Sequence, residues 1–156
     1  MIIETKRCLI REFQEKDLDP LMFYRNNDEW MKYQGFKNLS KQDYRERLIV
    51  AIDLNAGTQL AIIKKDTEQL IGDLYLKRQN EQCYIGYTIN PLYARNGYIQ
   101  EVIMGIIPWL KAKGIQQLKA EVDIHNTASI NLLKKLNFVY QDSSIDQDEL
   151  YYLAID

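Results

Sequence analysis

Between Tyr84 and Leu110 the hydrophobic period switches from that of a strand to that of a helix, which fixes a strand, a tight turn and a helix in immediate succession. The strand part, Tyr84–Ile89, is dense in Ile, Tyr and Thr, residues that suit a pleated and partly buried surface. Asn90-Pro91 ends it, because proline removes a ladder donor and biases its predecessor away from helix. From Tyr98 the residues Ile99, Val102, Ile103, Ile106, Ile107 and Leu110 fall on one helical face. Asn96-Gly97 also reads as a hairpin turn, but a hairpin would need alternation after Gly97, and the period there is helical. The first turn of a helix carries unpaired N–H groups and the positive end of the dipole, so the loop Ala94-Arg95-Asn96-Gly97-Tyr98 is a candidate anion site that a pyrophosphate would fit.

The rest of the chain is long enough, at 156 residues, to bury one core, and reads as a single domain. Twenty basic residues stand against 22 acidic ones, and no basic run tracks a phosphate backbone, so nucleic acid is not an expected partner. No stretch has the length to span a bilayer, MIIETKR lacks the core of a signal peptide, and no membrane partner is expected. Cys8 and Cys83 make neither a metal pattern nor a disulfide framework and read as small core residues of a reducing compartment, which gives cytoplasm as the expected location. No metal is expected, since His125 has no partners at ligand spacing.

In order, the chain opens with a strand in RCLIREF. A helix follows, capped by Asp17 or Asp19, with Pro20 in its first turn. Asn26–Phe36 has no period but holds Trp30, Met31, Tyr33 and Phe36, a segment that either tucks under the core or lines a substrate cleft. Ser40-Lys41-Gln42-Asp43 opens a second helix, with Tyr44, Leu48, Ala51 and Ile52 on its buried face and an end near Asn55–Gly57. Gln59–Ile63, Leu70–Leu76 and Tyr84–Ile89 form a meander. Gly114 stops the central helix, and Pro108 inside it is expected to kink or end it, with a bend at Met104–Pro108. A strand with Leu118, Ala120 and Val122, a helix from Asn126, and two closing strands near Phe138–Gln141 and Leu150–Ile155 complete the chain.

This order and three stretches of residues resemble the GNAT family of acetyl-CoA-dependent N-acetyltransferases, in particular its ribosomal-protein N-terminal acetyltransferase branch. TKRCLIREFQEKDLDPLMFYRNN is similar to that branch's opening "T-x-R-L-x-L-R" strand and following helix. IGYTINPLYARNGYIQEV resembles its "IGYxxxPxYxxxGYAxEA" segment, and the run from Asn126 to Phe138 resembles "NxxSxxLLxKLGF". The resemblance implies a mixed, mostly antiparallel α/β (α+β) sheet of about six or seven strands flanked by about four helices. It also implies acetyl transfer from acetyl-CoA to a primary amine, a protein N-terminus or small amine, by direct attack in a ternary complex. The acceptor partner would be a small molecule or peptide, and the protein a monomer or homodimer. The alternative is a CoA-binding or partner-binding protein of weak catalytic power.

Carried onto this chain, the resemblance places the pantetheine arm along Tyr87, Thr88 and Ile89 and the pyrophosphate at Arg95, Asn96, Gly97, Tyr98 and Ile99. The family's phosphate loop usually has Gln or Arg where Ala94 stands, Gly where Arg95 stands and Gly or Ala where Ile99 stands, so of its small residues only Gly97 is kept. A positive φ at Arg95 would carry strain. Ser129 is the serine thought to act near the thiol, or else a small polar residue of a first helical turn; Asn126 contacts the pantetheine arm or merely caps the helix. The tyrosine that often protonates the sulfur is replaced by Leu133. Asp73 and Glu81 are the candidate bases, each also readable as a charge at a strand end.

Overall fold

Alternating apolar residues build one twisted sheet whose two faces are covered by different helices. The computed structural model describes residues 2–143 and 148–156. Among these lie eight strands: β1 (Ile2–Glu4), β2 (Cys8–Arg11), β3 (Thr58–Lys64), β4 (Gln69–Gln79), β5 (Gln82–Ile89), β6 (Gln117–Asp123), β7 (Val139–Ser143) and β8 (Asp148–Ala154). The helices are α1 (Leu18–Arg25), α2 (Lys41–Leu48), α3 (Tyr98–Ala112) and α4 (Thr127–Lys135), with single 3-10 turns at Glu15–Asp17 and Pro91–Tyr93. The strand order is β1-β2-β3-β4-β5-β6-β8-β7, antiparallel throughout except for β5 beside β6.

One face packs Leu60, Ile62, Leu74 and Leu76 against the α3 stripe of Val102, Ile103, Ile106 and Leu110, with Leu133 of α4. The other packs Ala61, Ile63 and Leu70 against Leu18, Leu21 and Tyr24 of α1 and Tyr44 and Leu48 of α2. Burying each of these aliphatic side chains contributes on the order of 2 kcal/mol.

Four expectations change. The sheet has eight strands rather than six or seven, because the N-terminal strand is a pair, β1 and β2, folded at Thr5–Arg7. That turn is held from the outside: Glu101 of α3 accepts hydrogen bonds from the Thr5 hydroxyl, the Arg7 amide and Arg7 Nε. Secondly, α2 ends at Leu48 rather than near Asn55. The following Ile49, Val50 and Ile52 are β-branched, and the Asp53 carboxylate starts a turn by accepting from the Asn55 and Ala56 amides. Thirdly, Asp17 stands at the N-cap of α1, but its carboxylate takes Arg11 and the Gln14 amide instead of capping the helix. Ser40, by contrast, caps α2 as expected, accepting from the Asp43 amide.

The fourth concerns Pro108, expected to kink or end α3: of these two effects the end does not occur, since the helix runs on to Ala112. Pro108 and Met104 are both exposed, so the carbonyl deprived of its partner lies on the solvent side. Replacing Pro108 with Ala is expected to stabilise the protein by about 2 kcal/mol, raising the melting temperature on the order of 5 °C in a calorimetric scan.

Candidate active site

The only parallel pairing in the described sheet is short. Gln82, Cys83 and Tyr84 of β5 face Gln117, Leu118 and Lys119 of β6, and beyond Tyr84 the strands part. The Asn90 amide bonds the Ile71 carbonyl of the β4 side. By alternation, the backbone groups of Thr88 and Gly86 also face β4, while those of Ile85, Tyr87 and Ile89 turn into the gap. The result is a row of backbone donors and acceptors along a cleft with no strand opposite.

The cleft is lined by Tyr33, Gln34, Tyr87, Glu121, Asp123, Asn126, Ser129 and Leu133, among others. Asn126 caps α4, its side chain accepting from the Ser129 amide, and this presents the Ser129 hydroxyl from the first turn. Ser129 Oγ lies 2.7 Å from the Tyr87 hydroxyl. Burial pushes the Tyr87 phenol up to about 12, against the opposing pull of Ser129, so it stays protonated at neutral pH. Tyr87 and Ser129 therefore form a neutral hydroxyl pair, able to pass a proton along one hydrogen bond. Leu133, where the expected acid is missing, is fully buried behind them.

The outer end of the cleft meets the loop before α3. Arg95 has φ +64° and Gly97 φ +77°, so the strain expected of a side chain at position 95 is present. Asn96 ties the loop to itself, donating through its side chain to the Tyr93 and Ala94 carbonyls. Arg7 ties it to the N-terminal hairpin: Nη1 donates to the Asn96 carbonyl at 3.0 Å, Nε pairs with Glu101 at 2.7 Å, and the guanidinium lies 4.1 Å above the Tyr98 ring. Glu101, the one carboxylate in the first turn of α3, is thereby neutralised; burial favours its protonation, but the bonds from Thr5 and Arg7 outweigh that and hold its pKa below the usual range. Tyr98 and Ile99 are buried, anchoring the helix start, while Arg95, Asn96 and Gly97 are exposed. With Arg7 and Arg95 close by and Glu101 cancelled, the loop and helix end suit a phosphate.

The remaining sequence candidates do not gather here. Thr88 points to the opposite face, where its hydroxyl accepts from Arg25. Asp73 is fully buried on that face, and both carboxylate oxygens are occupied: Oδ2 by the Tyr24 hydroxyl at 2.6 Å and Arg25 Nε, Oδ1 by Arg25 Nη2 at 2.6 Å and Gln59 Nε2 at 2.7 Å. It has no free lone pair directed at the cleft. Glu81 sits in the β4–β5 turn, where its carbonyl accepts from Gln116 and Gln117, at the end of β5 that is still paired and away from Ser129. Ile89 offers a carbonyl to the gap, but Trp30 Nε1 donates to it at 2.8 Å. The aromatic segment divides accordingly: Met31 is core, while Trp30 and Tyr33 border the cleft.

Sequence reasoning missed Glu121. It is exposed, borders this cleft, and also borders a second, more open cavity of about 590 Å³ on the α1–α2 face, with Asn55, Tyr75, Lys77, Tyr84 and Gly86. The signal was available: burial of Leu118, Ala120 and Val122 puts Lys119, Glu121 and Asp123 on the other face.

Residues 7–139 match the family model described as "Acetyltransferase (GNAT) domain". Two Bacillus subtilis proteins, the uncharacterized N-acetyltransferases YoaA and YnaD, are each 30% identical, over 88% and 87% of this chain and 82% and 81% of their own length. Among solved structures, an acetyltransferase of the GNAT family from Bacillus anthracis superposes with TM-score 0.84 at 23% identity, covering 99% of this chain and 98% of that one. RimL, a ribosomal alpha-N-protein acetyltransferase solved in complex with coenzyme A, superposes with TM-score 0.83 at 17% identity, covering 100% and 99%.

If Asp73 holds elements together, as its contacts indicate, Asp73→Ala leaves the Arg25 charge buried without a partner and is expected to cost about 3–5 kcal/mol in chemical denaturation. A variant of unchanged stability would separate the carboxylate from that task.

Proposed function

The chain belongs to the GNAT acetyltransferase domain family, and from that membership we propose that it transfers an acetyl group from acetyl-CoA to a primary amine. The observation that carries the reading is the parting of β5 from β6, which leaves backbone groups of β5 unpaired, with the Tyr87–Ser129 hydroxyl pair joining that strand to α4 beside them. The residues present fit the cosubstrate. Tyr87 and Ile89 border the path for a pantetheine arm, and the backbone of Arg95–Ile99, with Arg7 and Arg95, suits the pyrophosphate. Asn126 serves as the cap of α4.

When bound, acetyl-CoA supplies the acyl carbonyl and a thiol leaving group. The amide groups of Ile85–Tyr87 that face the gap are placed to polarise a carbonyl there, an effect worth a few kcal/mol. Glu121, at the junction of the cleft with the open cavity, takes the proton of the incoming ammonium so that nitrogen can attack. The Ser129 hydroxyl, replenished from Tyr87, hydrogen-bonds the departing sulfur and returns a proton to it; with a thiol pKa of about 8.5 the demand on this acid is modest. The weak-catalysis alternative rests on Leu133 in place of a tyrosine, and Tyr87 supplies the missing hydroxyl from the facing strand instead.

Calorimetric titration with coenzyme A tests the donor site: one-to-one binding is expected, weakened at least about tenfold by Gly97→Trp, which fills the phosphate loop and forbids its φ. Absence of binding at millimolar ligand would overturn the reading.

Glu121→Gln is expected to lower turnover roughly a hundredfold at neutral pH while leaving coenzyme A binding unchanged. Its activity should recover as pH approaches the acceptor's own pKa, about 8 for an α-amine, because a neutral amine no longer needs the base. A flat pH response would remove Glu121 from the proton path.

A further inference from the structure

The α1–α2 face of the sheet is only half covered. The core beneath those helices uses Ala61, Ile63 and Leu70, from β3 and β4, and among the described residues it includes no side chain of β5, β6 or β8. Thr88 fixes which face this is, since it bonds Arg25 of α1, and Gly86 and Tyr84 share it by alternation. Register then sets side chains in rows across the bare half. Lys77 stands opposite Tyr84, Tyr84 opposite Lys119, and Lys119 opposite Tyr152. One pleat repeat further along, about 7 Å, come Tyr75, Gly86, Glu121 and Leu150. Beyond Glu121 on this face lie Asp123 and Asp148, directly opposite each other.

Three of the charges in this arrangement stand apart. Lys77, Lys119 and Glu121 form no ion pair or hydrogen bond among the described residues. Arg78, also at the cavity rim, is turned to the Asn80 carbonyl, and Asp123 is engaged by the His125 amide and ring. The cavity of about 590 Å³ runs from Lys77 past Tyr84 and Gly86 to Glu121, and is wider than one amino acid needs.

We propose that this bare half-face is the acceptor platform and that it takes a peptide N-terminus whose first side chains are acidic. The inference rests on the acetyl-transfer reading. The α-amine lies against Glu121, where the cleft opens, and is the group acetylated. An extended chain advances about 3.4 Å per residue, so acidic side chains at its second and third positions reach the row of Lys77 and Lys119. Tyr84 between the lysines and the aromatic ring of Tyr75 supply apolar contact for the stem. A polyamine or a basic N-terminus would satisfy Glu121 but meet two lysines of its own sign.

The experiment compares three synthetic peptides that begin with serine and continue with acidic, neutral or basic second and third residues, each with saturating acetyl-CoA. The wild type is expected to favour the acidic over the basic peptide by about tenfold or more in kcat/KM, less at high salt. Lys77→Glu combined with Lys119→Glu is expected to reverse that order, with one-to-one coenzyme A binding as the control that reports an intact fold and donor site. Equal wild-type rates on all three peptides, a basic preference, or a preference that survives the double reversal overturns the acceptor assignment alone. Failure to acetylate any peptide while coenzyme A still binds overturns the acetyl-transfer reading and this assignment with it.

Discussion

The site depends on one piece of backbone accounting: past Tyr84, β5 keeps a row of N–H and C=O groups that no strand pairs. Such groups are costly to leave bare in an interior and are normally matched. Here the cost is contained because the neighbours are held elsewhere. β4 pairs β5 along its whole length, from Gln79–Gln82 to Gly72–Ile89, and β8 pairs all of β6. Each strand is fixed from its outer side, so the gap does not close by itself, and its free edge faces solvent or ligand. At its far end the Ile89 carbonyl is already matched by Trp30, which shows how readily an available donor is drawn to this edge.

The second support is polar and buried. Arg25 joins three parts of the chain: Asp73 of β4, Thr88 of β5 and the Phe36 carbonyl of the segment that carries Trp30 and Tyr33. Burial alone would push its pKa down, but Asp73 more than offsets that, so the guanidinium stays charged. A buried pair of this kind adds little net stability over an apolar substitute, but its geometry is demanding. Its effect is to fix where the aromatic segment stands over the cleft.

How much of this the residues disclosed depended on whether a signal was periodic. The strand-loop-helix at Tyr84–Leu110 was legible because two periods meet at a proline and a glycine. The Asn126 cap was legible because its type and spacing are those of a helix start. The β1–β2 fold at Thr5–Arg7 was not, since the turn has no Gly or Pro and is secured by Glu101, far away in sequence. The early end of α2 was hidden by Ala51 and Ile52, which continue the helical spacing of Tyr44 and Leu48. For the site, Asp73 was readable as a base or as a charge at a strand end, whereas it lies buried within the sheet against Arg25. Glu121 lay in the complement of a burial pattern that had been recognised, and the cavities it borders were not legible in that pattern.

The loop before α3 shows how a turn is kept where a family's small residue is replaced. Glycine at position 95 would reach φ +64° without strain; arginine there costs on the order of 1 kcal/mol. That conformation is not left to the loop. Asn96 closes it through two carbonyls, Arg7 holds the Asn96 carbonyl from the N-terminal hairpin, and Glu101 fixes Arg7 by a short ion pair. Three contacts from outside position 95 therefore maintain a turn that its own side chain disfavours. The same side chain sets an exposed cation beside the start of α3, whose one first-turn carboxylate is already paired with Arg7.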